Sequence, residues 1–146
     1  MTGEGYNLLI EHEGEVLHAY QDSLGFWSIG VGHLLDQRKG GGITQHFSRM
    51  LLDDDIAQAQ VDAHRAFPWF ATLDPVRQDV ITMLVFNLGI GGLLQFKRMA
   101  AAIERKDWAG AAWELSNSQW KTQVGKERHD CLTGALEHGV WNKAVV

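Results

Sequence analysis

Apolar residues along this chain fall into blocks of different period, and each block predicts an element. Tyr6, Leu8, Leu9 and Ile10 form a short helical block, and Gly14 stands where a helix C-terminus favours the left-handed conformation. Glu13 then occupies the last turn. From Val16 to His33 the helical period disappears: β-branched, aromatic and glycine residues take over, and Gln21-Asp22-Ser23-Leu24-Gly25 reads as a turn between two strands. This predicts a small antiparallel sheet. The segment Asp36-Gln37-Arg38-Lys39-Gly40-Gly41-Gly42 reads as a flexible polar loop, and Thr44 is placed to cap the next helix.

Beyond the loop the period of 3.6 returns. Leu51, Leu52, Ile56, Ala59, Ala63 and Phe67 predict a long helix from about Thr44 to Arg65. Asp74-Pro75 joins an N-cap to a proline at the first helical position, and Val76, Val80, Ile81, Met83, Leu84, Val85 and Leu88 then cover almost every face. That helix should be a buried centre, broken by Gly89, Gly91 and Gly92. Phe96, Met99, Ala100 and Ile103 mark the next helix. Asp107 caps another containing Trp108, Ala112 and Trp113, and a last one holds Leu132 and Leu136.

With 146 residues and 45% hydrophobic content the chain can bury a core, as one domain or as two small lobes sharing a helix. Cys131 is the only cysteine, which excludes an intrachain disulfide and leaves the fold to packing alone in a reducing compartment. The opening residues Met1 to Tyr6 show neither a cationic region nor an unbroken apolar stretch, so no signal peptide and no membrane anchor are expected. A net charge of −5 argues against nucleic acid as the partner. The charge is uneven, with ten acids against three bases in residues 1–64 and seven bases against four acids in residues 96–128. The second stretch could favour an anionic polymer or be an ordinary solvated face. The seven histidines lack metal-ligand spacing, and Asp53-Asp54-Asp55 reads as an exposed turn of helix, so neither a metal nor a cofactor is expected.

The candidate chemistry lies in the first third, where Glu13, Asp22 and Ser28 stand at the spacing Glu-x8-Asp-x5-Ser. Singly they are a solvated helix acid, a turn residue bonding its own backbone and a strand hydroxyl. Together, two carboxyls and a hydroxyl across a helix-to-hairpin junction suffice to hydrolyse a glycosidic bond, one carboxyl protonating the leaving oxygen while the other holds a water. A carboxyl on the last turn of a helix faces the negative end of the helix dipole, which favours the protonated form an acid catalyst needs. Asp22, in a wet turn with free backbone amides, should stay ionised.

The spacing, the turn at Asp22, the segment Ser28-Ile29-Gly30-Val31-Gly32-His33 and the downstream Leu84-Val85-Phe86-Asn87-Leu88-Gly89 resemble the phage-type lysozymes, glycoside hydrolase family 24. The resemblance extends over Ile43-Thr44, Leu51 to Asp55, Phe96, the Trp120 region and Gly139-Val140-Trp141. It implies that Glu13 is the general acid, Asp22 the carboxylate that orients or activates water, and Ser28, in place of the family's usual threonine, the hydroxyl helper. It also implies that Arg128 pairs with Glu13, that His33 pairs with Asp55, and that Leu34, Phe86, Asn87, Met99 and Glu114 contact the glycan. Met99 and Glu114 stand where small or amide residues are common, and Phe86 and Met99 read equally as core. Trp27 alternates to the face opposite Ser28 and reads as packing.

The expected fold is therefore α+β and lysozyme-like, as a single domain over residues 1–146. Lobe 1 covers about 1–43, the helix 44–65 connects, lobe 2 covers about 66–146, and a substrate cleft lies between the lobes. The expected activity is muramidase action on bacterial peptidoglycan at the β-1,4 bond between N-acetylmuramic acid and N-acetylglucosamine, used in cell lysis. An inverting route requires the Glu13 and Asp22 carboxyls roughly 6.5 to 9.5 Å apart. The rivals are a lytic transglycosylase, which needs only the acid, and a non-catalytic glycan-binding domain. A monomer is expected, held in the host cytoplasm until a holin lesion or a virion delivers it to the wall.

Overall fold

The structure, a computed structural model, describes residues 1–141. It falls into two compact units, Met1–Leu52 and Asp53–Val146. The fold is α+β, with seven α-helices and one three-stranded antiparallel sheet among the described residues.

The first unit opens with α1 (Gly3–Glu13), capped by Thr2, whose Oγ1 accepts from the Gly5 N–H at 3.2 Å. Gly14 ends it at φ 75°, donating its N–H to the Ile10 carbonyl. That stop leaves Glu13 on the last turn, as the sequence predicts. Strands β1 (Val16–Gln21), β2 (Trp27–Gly30) and β3 (His33–Leu34) follow in the order β1-β2-β3. The register pairs Tyr20 with Ser28, Gln21 with Trp27, and Ser28 in turn with Leu34, so Ser28 lies on the central strand. An irregularity between Val16 and Tyr20 shifts the register along β1.

Residues 36–42 are better organised than the expected flexible loop. Asp36 Oδ1 accepts from the Arg38 backbone N–H at 2.7 Å, its carboxylate grips the Arg38 guanidinium, and the Gly41 N–H donates to the Arg38 carbonyl at 3.0 Å. Gly41, at φ +74°, lies so close to Trp27 that a Cβ there would come within 2.7 Å of the indole. Trp27 is thus covered by this loop, in agreement with its alternation away from Ser28. Helix α2 (Gln45–Ala66) begins after Thr44, whose Oγ1 accepts from the Phe47 N–H at 3.4 Å, and the unit boundary falls inside it. Its predicted apolar row is buried at Ala59, Ala63 and, just past the helix end, Phe67, while Leu51 is exposed.

In the second unit a 3₁₀ turn (Phe70–Thr72) precedes α3 (Pro75–Leu93), and Asp74 caps that helix by accepting from the Arg77 N–H at 3.1 Å. Gly89 alone of the three glycines breaks it, leaving the helical region at φ 69° and ψ 158°, and a short helical stretch through Gly91 and Gly92 resumes to Leu93 beyond this kink. Then come α4 (Lys97–Glu104), α5 (Trp108–Ser116), α6 (Trp120–Gln123) and α7 (Lys126–His138). Helix α5 packs on α4 and α7, and α3 on α7. Their shared core contains Phe70, Val80, Ile81, Leu84, Leu93, Ile103, Leu115, Trp120, Leu132 and Leu136. Among the described residues no single helix is long and apolar enough to cross a membrane.

One polar side chain ties this core together. Arg77 is 9% exposed and donates from Nε to the Leu136 carbonyl and from Nη2 to the Glu137 carbonyl, both at 2.7 Å. Its Nη1 reaches Asp74 Oδ2 at 2.8 Å, and its guanidinium lies 4.0 Å from the centre of the Trp108 ring. Carbonyls at the end of a helix lack partners within it, so Arg77 supplies what the last turn of α7 cannot.

Candidate active site

Glu13 is exposed at the end of α1, and its carboxylate rests against the turn joining β2 to β3. A Cβ added at Gly32 would stand 3.2 Å from Glu13 Oε2, and Gly32 itself has φ +62°. Two demands, a left-handed backbone and room for a carboxylate, meet at one glycine.

Asp22 follows directly on β1. Its Oδ1 accepts from the Leu24 and Phe26 backbone N–H groups, both at 2.9 Å, while its own N–H donates to the Phe26 carbonyl at 2.8 Å. The ordinary turn reading of Asp22 therefore holds and is compatible with a chemical role: two amides fix one carboxylate oxygen and leave Oδ2 unengaged by protein donors among the described residues. Ser28 is 6% exposed. Its hydroxyl has no hydrogen-bond partner among the described residues. Because Asp22 continues the ladder two residues beyond Tyr20, the partner of Ser28, the pair Asp22 and Ser28 is a diagonal cross-strand pair, at roughly 7–8 Å between backbones. Leu34 flanks Ser28 on the other side and is exposed. His33 packs its ring edge-on against Phe47, centroids 5.0 Å apart. Its expected partner Asp55 is exposed on α2 in the second unit.

The second unit holds the remaining candidates. Phe86 is 51% exposed and so is not core. Asn87 is exposed, and its Oδ1 accepts from the Trp120 indole N–H at 2.9 Å. With the oxygen engaged there, the Asn87 amide presents both N–H donors outward. Of the two readings open for Met99 the structure favours core: it is 2% exposed and belongs to the core cluster. What it offers a ligand is an edge in the floor of an open cavity of about 720 Å³, whose walls include Phe96, Lys97, Arg98, Glu114, Gln119 and Trp120. Glu114 is half-buried on that wall. Arg128 is exposed on the first turn of α7 and has no ion pair within 4.0 Å among the described residues.

Next to Arg128, His129 is 4% exposed, with Nδ1 2.9 Å from Asp130 Oδ1 and its ring beside Trp120. Its buried Nε2 has no hydrogen-bond partner among the described residues. Lys126 and, second, His129 hold the Asp130 carboxyl below its ordinary range by hydrogen bonding. Three contributors to the site carry little signal in the sequence. Gly32 is visible there only as part of a glycine alternation, Tyr20 matters only through its register with Ser28, and Trp120 is one apolar residue in a short segment.

Comparison with known proteins bears on this arrangement as a whole. The family model described as Phage lysozyme matches residues 10–136, which include Glu13, Asp22, Ser28 and both flanks of the 720 Å³ cavity. The chain is 29% identical to "Probable T4-type lysozyme 1" of Dictyostelium discoideum, over 93% of this chain and 95% of that one. It is 28% identical to "Endolysin" of Acyrthosiphon pisum secondary endosymbiont phage 1, over 99% and 96%. It is also 28% identical to "Pre-baseplate central spike protein Gp5" of Enterobacteria phage T4, over 89% of this chain but only 28% of that protein. With its α+β fold and a family match over most of its length, the chain belongs to the phage lysozyme family and is a glycoside hydrolase.

Proposed function

We propose that this hydrolase is an N-acetylmuramidase, cleaving the β-1,4 bond between N-acetylmuramic acid and N-acetylglucosamine in bacterial peptidoglycan with inversion. Glu13 is the general acid, Asp22 the base that orients water, and Ser28 the hydroxyl that shares that water. The observation that carries this reading is the contrast between the two carboxyls. Asp22 is held through one oxygen by two backbone amides, which leaves Oδ2 free to hold a water, whereas Glu13 ends α1 with its carboxylate against Gly32 and receives no backbone donor among the described residues. One carboxyl is thereby fixed to orient water and the other is left to reach a leaving oxygen.

Asn87 donates to the sugar acetamido carbonyls, Leu34, Phe86 and Glu114 contact the glycan, Met99 lends only an edge, and Arg128 positions Glu13. His33 and Asp55 support the framework. Lysis of a bacterial host from within fits the relative named "Endolysin", and attack from a virion fits the spike-protein relative.

Digestion of purified cell walls, with mass spectrometry of the products, tests the reaction. Reducing muramic ends are expected, with the anomer read by NMR immediately after cleavage being the inverted one. Products ending in 1,6-anhydromuramic acid would make the enzyme a transglycosylase, and undiminished lysis by Glu13→Gln would remove Glu13 from the role of acid.

A further inference from the structure

A second, smaller cavity of about 350 Å³ lies between α4 and α5, lined by Arg98, Ala101, Ala102, Arg105, Asp107, Gly110, Trp113 and Glu114. Of its lining residues the proposed reaction uses only Glu114. Its floor is made of small residues, and at its lip stands Trp113, 60% exposed on a helix whose neighbours Ala111, Ala112 and Leu115 are buried. Trp113 thus presents an apolar indole face to solvent beside the cavity, where a ligand can cover it.

The charges narrow the ligand. Two guanidiniums, Arg98 and Arg105, face two carboxylates, Asp107 and Glu114, so hydrogen-bonding power is high in both directions while the net field is near zero. A polyanion would be repelled by the carboxylates, and an apolar ligand would strand the charges. The neutral, hydroxyl-rich ligand with one apolar face that fits is a pyranose: its C–H face covers the indole, and its hydroxyl and acetamido groups bond the charged walls. The volume is at the small end of ligand sites and suits one or two sugar rings.

The connector between the helices supports a built site. Lys106 is the one non-glycine residue with positive φ, 59°, among the described residues, and it sits directly between Arg105 and Asp107. That backbone twist brings the two side chains to one edge, 3.9 Å apart. The cavity shares Arg98 and Glu114 with the 720 Å³ cavity that Trp120 also lines, so the two adjoin.

From these observations we infer that the α4–α5 cavity is a secondary glycan-binding site, separate from the catalytic residues, that holds an N-acetylhexosamine of the wall on Trp113. Its choice of sugar rests on the peptidoglycan reading above, but its occupancy does not depend on hydrolysis. It gives the enzyme a hold on insoluble wall that does not rely on positive charge, which the chain lacks.

The test uses the Glu13→Gln protein titrated with β-1,4-linked N-acetylglucosamine tetramer and followed by ¹⁵N NMR. Saturable shifts at the Trp113 indole N–H and the Gly110 amide are expected, and they should persist when Phe86→Ala and Asn87→Ala are added. Trp113→Ala should abolish them and weaken sedimentation with purified walls about fivefold to tenfold, the loss expected from uncovering one indole face. Trp113→Tyr should restore most of that binding. The exposed position protects the fold in each variant. Silence at Trp113 with sugar, or shifts there only with a muropeptide stem peptide lacking sugar, overturns the inference. If walls are lysed yet Trp113 stays silent, the secondary site fails and the muramidase survives. If Trp113 responds but no wall product forms, the converse holds.

Discussion

Replacing Arg77 by methionine isolates the largest single polar contribution in the second unit. Methionine keeps much of the side-chain volume but removes two charged hydrogen bonds to the last turn of α7, the ion pair to Asp74 and the contact with Trp108. Charged hydrogen bonds of this kind contribute about 1.5–3 kcal/mol each. The Leu136 carbonyl is in a fully buried residue and stays unpaired, whereas that of exposed Glu137 regains water, so the pair is worth about 3 kcal/mol rather than the full sum. Stacking on Trp108 adds about 0.5–1 kcal/mol, and losing the exposed side of Asp74 adds little. A destabilisation of about 3–4 kcal/mol, or roughly 10 °C in Tm, is therefore expected. Urea titration and calorimetry measure it. The geometry also makes a claim about coupling: a Cβ at Gly139, φ +67°, would lie 2.6 Å from Arg77 Nη1. Gly139→Ala should thus be costly in the native background and, combined with Arg77→Met, retain only the left-handed penalty of about 1–2 kcal/mol. A loss under about 1 kcal/mol for Arg77→Met, or strict additivity of the two substitutions, would refute the clamp.

Four further outcomes rest on local geometry. Lys106→Gly should raise stability by about 0.5–1 kcal/mol, because glycine relieves φ 59° at the C-terminus of α4; a fall in Tm would contradict it. Asn87→Asp keeps an acceptor for the Trp120 indole but removes both outward donors, so KM on soluble wall fragments should rise roughly tenfold with Tm shifted by less than about 2 °C; unchanged KM would deny Asn87 a role as donor. Gly32→Ala crowds Glu13 Oε2 and should lower kcat about tenfold or more while the sheet still forms, as circular dichroism can verify. On acidification, Asp36 is held at about 2 against an ordinary 3.8 by hydrogen bonds from the Arg38 side chain and backbone, and Asp74 lies below its ordinary value because the Arg77 bonds and charge outweigh the upward push of burial. Depressed carboxyls stabilise the fold above their unfolded values, and that stability is lost as the pH falls through the folded ones. The urea midpoint should accordingly drop as the pH falls from about 5 toward about 2, with a shallower slope for Asp36→Asn, and a flat profile would refute the linkage.

How much of the molecule is legible in its sequence depends on the range of each interaction. Glu13 on a final helical turn, Asp22 in a hairpin bend and the Asp74-Pro75 start are legible because glycine, aspartate and proline act within a few residues of themselves. The 3₁₀ turn at Phe70–Thr72 and the four-residue α6 leave no trace, since neither is long enough to show a period. The polar loop reads as flexible because composition does not reveal that Asp36 bonds Arg38 while Gly41 covers Trp27. Two side chains are settled only by packing. Trp113 fits an apolar helix pattern and is exposed, whereas Met99, which reads equally as core and as glycan contact, is core. In both cases the packing of α4 against α5 decides which side chain faces out. Arg77 shows the same limit from the polar side: its partners are 59 and 60 residues away, so a side chain that organises a whole unit looks in the sequence like one more charge on a helix. Long-range polar anchors of this kind mark where a sequence reading of such enzymes stops, whereas the three catalytic candidates lie within sixteen residues and stand out by their joint spacing rather than by any one residue.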